Sequence, residues 1–301
     1  MGGRYPPPGA LTMGARDTSF YYSFLVLPPR KRQAILAVWD FCRAVDDAVD
    51  EVVPEDDWKG GLTPEARAQA VESIAVWRDE LDRIYGGVPL TPQGKSLQPW
   101  VPEFNLPKRE FKTLIDGVEM DLSYLKYPDF EALSKYCQQV ASSVGLICLE
   151  IFGYRDKAAR DYAVNLGIAL QLTNIIRDVA TDLKRGRIYL PMDDMAWFHV
   201  SESDLRAGRV TPNVRSLMRY QCRRARYYYR LASERLPRID RRSLVAAEIM
   251  GEIYFAILRK IERARYDVFT TRHRVARPRR AIIALDVWSR ALLAPRPRPR
   301  T

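Results

Sequence analysis

The chain has 301 residues, 47% of them hydrophobic, and sets 48 Lys and Arg against 37 Asp and Glu, a net charge of +11. Its only histidines are His199 and His273, and its four cysteines, Cys42, Cys137, Cys148 and Cys222, have no close spacing. A His-rich metal site, a metalloprotease helix and a cysteine zinc or redox motif are therefore excluded, whereas the basic balance fits nucleic acid, anionic lipid or an anionic small substrate.

Residues 1–15 hold prolines and glycines without a basic-then-apolar leader, and a loose tail is expected there. Beyond them the hydrophobic period is helical almost throughout. A first helix is expected from Pro28-Pro29 to about Val52, since proline suits a helix entrance. A second spans Pro64 to Tyr85 and stops at Gly86-Gly87. Pro107 opens a third, to Leu122, and Asp129 caps a fourth that continues to Phe152. A long fifth runs from Lys157 to about Arg185 and is closed by Gly186. Further helices fit Val214 to Leu236, Arg241 to Tyr266 and Ala281 to Leu293. Alternating strand patterns with hairpin turns are absent. The expectation is an all-α bundle, one domain over residues 16–293, followed by a disordered proline- and arginine-rich tail at 294–301. The cysteines are expected as buried free thiols. No stretch has the length of a transmembrane helix without charges, so a cytoplasmic protein is expected, in peripheral contact with the inner face of the membrane at most.

Two helices carry acids where burial is expected. In Phe41-Cys42-Arg43-Ala44-Val45-Asp46-Asp47-Ala48-Val49-Asp50-Glu51, steps of four, three and four put Trp39, Arg43, Asp46 and Asp50 on one stripe. Ile35, Val38, Cys42, Val45 and Val49 follow apolar spacing beside it. A solvated acidic face is the ordinary explanation of such a run. Here three aspartates and Glu51 repel one another near a helix C-terminus, where negative charge also opposes the macrodipole. Arg43 alone is too little compensation, and Asp46 and Asp50, one turn apart, can reach the same cation.

The second stretch, Gln171-Leu172-Thr173-Asn174-Ile175-Ile176-Arg177-Asp178-Val179-Ala180-Thr181-Asp182, is apolar around most of its circumference, as a central helix is. Gln171, Asn174, Asp178 and Asp182 form a polar stripe down it. A buried hydrogen-bond network would need donors, and the stripe offers mostly acceptors. A hard cation completes it better, and cations held by carboxylates commonly hold a phosphate. Arg177, Lys184, Arg185 and Arg187 suit the remaining phosphate oxygens.

These residues resemble the squalene/phytoene synthase family, which joins two prenyl diphosphates head to head. The resemblance runs through Ser19-Phe20-Tyr21-Tyr22, the run from Phe41 to Asp50, Tyr136-Cys137 with Val140-Ala141 and Val144-Gly145, the run from Gln171 to Asp178, Arg187-Ile188-Tyr189-Leu190-Pro191 and Tyr254. It covers roughly residues 16–280. It implies a single-domain isoprenoid synthase bundle with a central apolar cavity. It implies Mg²⁺ held by Asp46 and Asp50 from one side and Asn174, Asp178 and Asp182 from the other, with Asp46, Asp50, Asp178 and Asp182 as the catalytic acids. Arg43, Gln171 and Arg177 would meet diphosphate, and Ser19, Phe20, Tyr22, Tyr136 and Tyr254 would line the substrate sites. Trp39 stands where many relatives have tyrosine, and Thr181 where an acid is common.

Such residues support ionisation of an allylic diphosphate, with aromatic faces and apolar walls shielding the cation. The stretch from Arg241 to Met250, with Ile261-Glu262-Arg263 and Tyr266 to Phe269, looks most like bacterial presqualene diphosphate synthases of the hopanoid route, which use farnesyl diphosphate. Phytoene synthases, which use geranylgeranyl diphosphate, are the alternative. A nucleic-acid protein is disfavoured because the basic residues are spread and no recognition motif is present. A non-catalytic interaction protein on the same fold would have lost the acids, and a terpene cyclase would lack the paired motifs. The helix at Ala281–Leu293 is expected to pack into the core rather than lie on a membrane.

Overall fold

A computed structural model describes residues 21–50, 63–122 and 126–293. Ser19, Phe20, Glu51 and both expected tails lie outside them. Caps written in the sequence start several helices. Thr63 Oγ1 accepts from Ala66 N at 3.1 Å ahead of Pro64, Asp129 accepts from Ala132 N at 2.8 Å, and Thr211 precedes Pro212 and accepts from Val214 N at 3.2 Å.

In chain order the helices are α1 (Tyr21–Leu25), α2 (Pro29–Asp50), α3 (Pro64–Gly86), α4 (Pro92–Leu97), α5 (Trp100–Phe104), α6 (Lys108–Met120) and α7 (Phe130–Cys137). A π-turn (Gln138–Ser142) then leads into α8 (Ser143–Phe152), α9 (Ala158–Lys184), α10 (Met192–Trp197), α11 (Glu202–Arg206), α12 (Pro212–Arg235), α13 (Val245–Arg263) and α14 (Arg277–Leu293). Among the described residues there is no sheet, only an isolated parallel bridge between Lys126 and Ile188. The all-α expectation holds. The short helices α4, α5, α10 and α11 were not foreseen, because five or six residues are too few for a helical period to show.

The helix expected from Asp129 to Phe152 is broken in the middle. Two glycines let neighbouring helices close on the wide π-turn. A Cβ on Gly167 of α9 would lie 2.7 Å from Ser142 Cα, and one on Gly117 of α6 would lie 2.7 Å from Gln139 Cβ. Ser142 Oγ donates to Val164 O at 2.8 Å, which ties the turn to α9. Widened turns of this kind often mark functional sites, and here the insertion aims Val140 into the interior.

The central helix is α9. It packs along α12, the π-turn, α8 and α13, and it buries residues on nearly every side from Ala159 to Leu183. On the other flank α2 buries Ile35, Val38, Phe41, Val45 and Val49. Phe41 meets Trp77 and Phe111 edge-on, with ring centroids 5.5 and 5.4 Å away, each contact contributing about 0.5–1.5 kcal/mol beyond burial. The acid-bearing ends of α2 and α9 are thereby held against one interior space.

Candidate active site

Two cavities meet between α2, the π-turn and α9. One, of ≈ 600 Å³, is polar and lined by Arg43, Asp46, Asp47, Asp50, Asp121, Tyr136, Gln171, Asn174, Arg177, Asp178, Asp182, Arg185, Arg187 and Tyr189, among others. The other, of ≈ 180 Å³, is walled mainly by apolar side chains from α1, α2, α8, α9 and α13. Asp46, Val140, Gln171 and Asn174 line both, so the polar space opens onto the apolar one. Of the residues singled out from the sequence, Asp46, Asp50, Asn174, Asp178, Asp182, Arg43, Gln171, Arg177 and Tyr136 stand around the polar cavity. Tyr254 and Trp39 line the apolar one. Tyr22 does not join them. It packs in the small cluster of Val245, Ile249 and Val287, and Phe24, half a turn along α1, lines the cavity instead.

The chain path after α9 completes the polar cavity. Gly186 takes φ +69°, a left-handed turn that suits glycine, while its N–H donates to Leu183 O at 3.1 Å and Arg187 N to Asp182 O at 2.9 Å. That reversal sends Arg187 back towards α2. Arg185 and Arg187 donate to the two oxygens of Asp50 at 2.7 and 2.9 Å. Asp178 is gripped by Arg177 and by Arg272, the latter at 3.0 Å. Arg177 donates from within α9, and the other donors, Arg185, Arg187 and Arg272, arrive from beyond its last turn. Arg43 is bonded to Asp47 at 3.3 Å on the exposed side of the same stripe.

Sequence reasoning missed Asp121, which links the two acidic sets. It is buried at the end of α6 and accepts from Tyr189 Oη at 2.8 Å and Tyr136 Oη at 3.0 Å. The two rings lie nearly parallel, 5.3 Å apart. A signal existed: a carboxylate just past a helix C-terminus opposes the dipole, as Asp47 and Asp50 in the last turn of α2 do. Arg272 was missed as well, and it lies in a segment with no periodic pattern.

The charges are finely opposed. Asp46 is exposed to the water of the cavity, which limits the cost of its charge; its crowded setting, with Asp50 and Asp121 beside it, still raises its carboxyl above the ordinary value. Burial raises Asp182 well above the carboxylate range, Asp178 and Asp121 add to this, and Arg187 and Arg185 oppose it. Burial also raises Asp121, against the pull of Arg187 and the two tyrosine hydroxyls. Asp178 goes the other way: burial would lift it, but Arg177 and Arg272 outweigh that and hold it below the usual range. Burial would lower Arg187, yet Tyr189, Asp121 and Asp50 keep it above its ordinary value.

Could these residues hold a divalent cation? Among the described residues no three His, Cys, Asp or Glu side chains are gathered round one point, and Asp50 and Asp178 are each bonded to two arginines. The donor chemistry nevertheless fits magnesium: every candidate is a hard oxygen. Asn174 Oδ1 is buried without a hydrogen-bond partner, an acceptor left open between the two cavities. The arrangement provides carboxylates for cations, arginines for an anion and an apolar space beside them.

A family model described as squalene/phytoene synthase matches residues 13–281. A phytoene synthase of Arthrospira platensis is 39% identical over 269 residues, 84% of this chain and 82% of that protein. A 15-cis-phytoene synthase of Synechocystis sp. is 34% identical over 285 residues, 91% of this chain and 81% of that one. Among solved structures, a dehydrosqualene synthase in complex with ligand superposes with a TM-score of 0.80 at 28% identity, over 92% of this chain and 93% of that chain. Squalene synthase HpnC from Alicyclobacillus acidocaldarius gives 0.69 at 30% identity, over 83% and 90%.

Proposed function

Because the chain belongs to the squalene/phytoene synthase family and is a prenyltransferase, we propose that it condenses two geranylgeranyl diphosphates head to head to form phytoene, with magnesium as its cofactor. The observation that carries this reading is the joining of the two cavities. The acidic stripes of α2 and α9 face one polar space, and that space opens through Asp46, Val140, Gln171 and Asn174 into an apolar one. An amphiphile with a diphosphate head and a hydrocarbon tail fits such a junction.

Asp46 and Asp50 from α2, and Asn174, Asp178 and Asp182 from α9, would hold the metal. When bound, magnesium supplies Lewis acidity to the departing diphosphate and neutralises its charge. Arg185, Arg187, Arg177 and Arg272 then serve a second purpose. These guanidiniums would bond phosphate oxygens, where negative charge grows as the C–O bond breaks. The allylic cation left behind lies towards the apolar cavity, where Trp39, Phe24 and Tyr254 offer aromatic faces and exclude water. The double bond of the second prenyl chain attacks it, a proton is lost, and a cyclopropyl diphosphate results. Loss of the second diphosphate and of one more proton gives phytoene. Tyr136 and Tyr189 orient Asp121 and keep it from swinging across the cavity.

The preference for the longer substrate departs from the expectation drawn from the C-terminal third of the sequence, and what supports it is that the Arthrospira and Synechocystis relatives, both above 30% identical, are phytoene synthases. A second reading, two farnesyl diphosphates to presqualene diphosphate, is favoured by the stretch from Arg241 to Met250 and by the likeness to a squalene synthase. The test is to incubate purified protein with Mg²⁺ and each prenyl diphosphate separately, without NADPH, and to identify the extracted product. Phytoene from the C20 substrate is expected. Presqualene diphosphate from farnesyl diphosphate alone would replace this reading with the second, and no turnover of either would overturn both.

A further inference from the structure

The outer face of α14 is apolar and open, and we propose that it seats the protein on the surface of an anionic bilayer. On its inner side α14 buries Ala284, Val287 and Ala291 against α13 and α1. On the other side Ile282, Leu285, Trp288, Leu292 and Leu293 are between 42% and 84% exposed. At 3.6 residues per turn these five fall within an arc of about 140°. Single exposed apolar residues are ordinary on any protein. Five sharing one helical face make a contiguous patch, which commonly marks an interaction surface. The sequence expectation that this helix only packs inward therefore describes half of it.

Charge identifies the occupant. The helix contains four arginines and one aspartate; Arg280 is buried and donates to Val275 O at 2.7 Å, which leaves Arg277, Arg279 and Arg290 exposed. Arg279 and Arg290 are exposed on one flank of the apolar arc, and Arg290 holds the single aspartate, Asp286, at 2.6 Å. The sequence continues as Pro295-Arg296-Pro297-Arg298-Pro299-Arg300, adding three positive charges without an acid. Leucine, isoleucine and tryptophan on one face with arginine beside them is the pattern of a helix lying in a lipid interface, where each basic residue gains from anionic headgroups. None of the helices among the described residues is long and apolar enough to cross a membrane, so α14 lies on the surface.

The position of the face gives the contact a use. The inner side of α14 rests on α1 and α13, and Phe24 of α1 with Ala247, Met250 and Tyr254 of α13 line the apolar cavity. The docking face is thus one layer of helix away from the space proposed for the hydrocarbon chains. Vesicle binding is measured without turnover, so its failure is distinguishable from failure of the proposed reaction.

The experiment is co-sedimentation of the full chain with vesicles of phosphatidylcholine mixed with phosphatidylglycerol, and with vesicles of phosphatidylcholine alone. The expected result is binding to the anionic vesicles, weakened by salt and much weaker on the neutral ones. The double variant Leu285→Glu with Trp288→Glu should reduce anionic binding by about tenfold or more, with unchanged circular dichroism. Should that variant fail to fold, Leu285→Ser with Trp288→Ser carries the same comparison. Arg279→Glu should weaken binding in the same direction. Absence of wild-type binding, equal binding to neutral vesicles, or undiminished binding by the folded variant would overturn the proposal. So would a wild-type dimer in sedimentation velocity that the variant dissolves while neither binds vesicles.

Discussion

Replacing Gly167 by alanine tests the packing that shapes the cavity. In an unconstrained helix interior the change stabilises by about 1 kcal/mol, since alanine gives up less conformational freedom. Here the added Cβ would lie 2.7 Å from Ser142 Cα, 2.8 Å from Ser142 N and 2.9 Å from Ala141 C. These are backbone atoms of the π-turn and cannot rotate away, so α9 and the turn must separate. Overpacking of a tight core costs typically about 1–3 kcal/mol. With backbone on the receiving side we take the upper end, ~3 kcal/mol, less the ~1 kcal/mol helix gain, for a net loss of about 2 kcal/mol. For a chain of 301 residues that corresponds to a fall in Tm of about 3 °C. Gly86→Ala is the control: it ends α3, its Cβ would meet nothing within 4 Å, and a gain of about 0.4–1 kcal/mol is expected. Urea denaturation followed by circular dichroism reads both. Turnover of Gly167→Ala should fall as well, because Val140 on the displaced turn lines both cavities. A Gly167→Ala protein as stable as the wild type, or more so, would refute the reasoning about the turn.

Asp46→Asn and Asp178→Asn should each abolish turnover while leaving the helical circular dichroism intact, and full activity in either removes that residue from the mechanism. Arg187→Met, which takes a buried guanidinium from between Asp50 and Asp121, should lower turnover by about 10²-fold or more, read by product formation at saturating substrate. Phe152 lines the apolar cavity and also a surface depression on its far side. Phe152→Ala should open that end and shift the ratio of C20 to C15 substrate use upward, as measured by competition between the two. Burial pushes the Cys148 thiol up to about 12 and raises Cys42, Cys137 and Cys222 as well. Thiolate, the reactive form, should therefore be scarce in the folded protein: labelling at pH 8 should be slow when folded and fast in urea, and rapid labelling when folded would contradict the burial.

How much of this the sequence disclosed depends on whether the signal was local. Helix ends were legible where a cap or glycine marks them, as at Thr63-Pro64, Asp129 and Gly186. The acids on α2 and α9 were legible because they repel one another on otherwise apolar helices, although the structure leaves them half-buried or exposed around a cavity rather than fully buried. The π-turn was not, since the helical period continues on both sides of one inserted residue and the glycines that admit it, Gly117 and Gly167, sit on other helices. The arginine partners of Asp50 and Asp178 were only half legible. Arg177, Arg185 and Arg187 stood out as a basic group, but the pairing of Arg187 with Asp50 depends on the reversal at Gly186, and Arg272 comes from a distant loop. Tyr22 was misjudged because the pitch of α1 decides which aromatic enters the cavity, and a five-residue helix does not reveal its pitch.

On the proposed function, carboxylates on two opposing helices hold one cation cluster, and with it a diphosphate. Electron paramagnetic resonance of Mn²⁺, titrated into the protein with inorganic pyrophosphate, tests it most directly. Pyrophosphate-dependent Mn²⁺ binding is expected in the wild type and should be lost in both Asp46→Asn and Asp178→Asn. Retention of that binding in either variant would show that one helix holds the metal without the other, and a cluster shared between α2 and α9 would be ruled out.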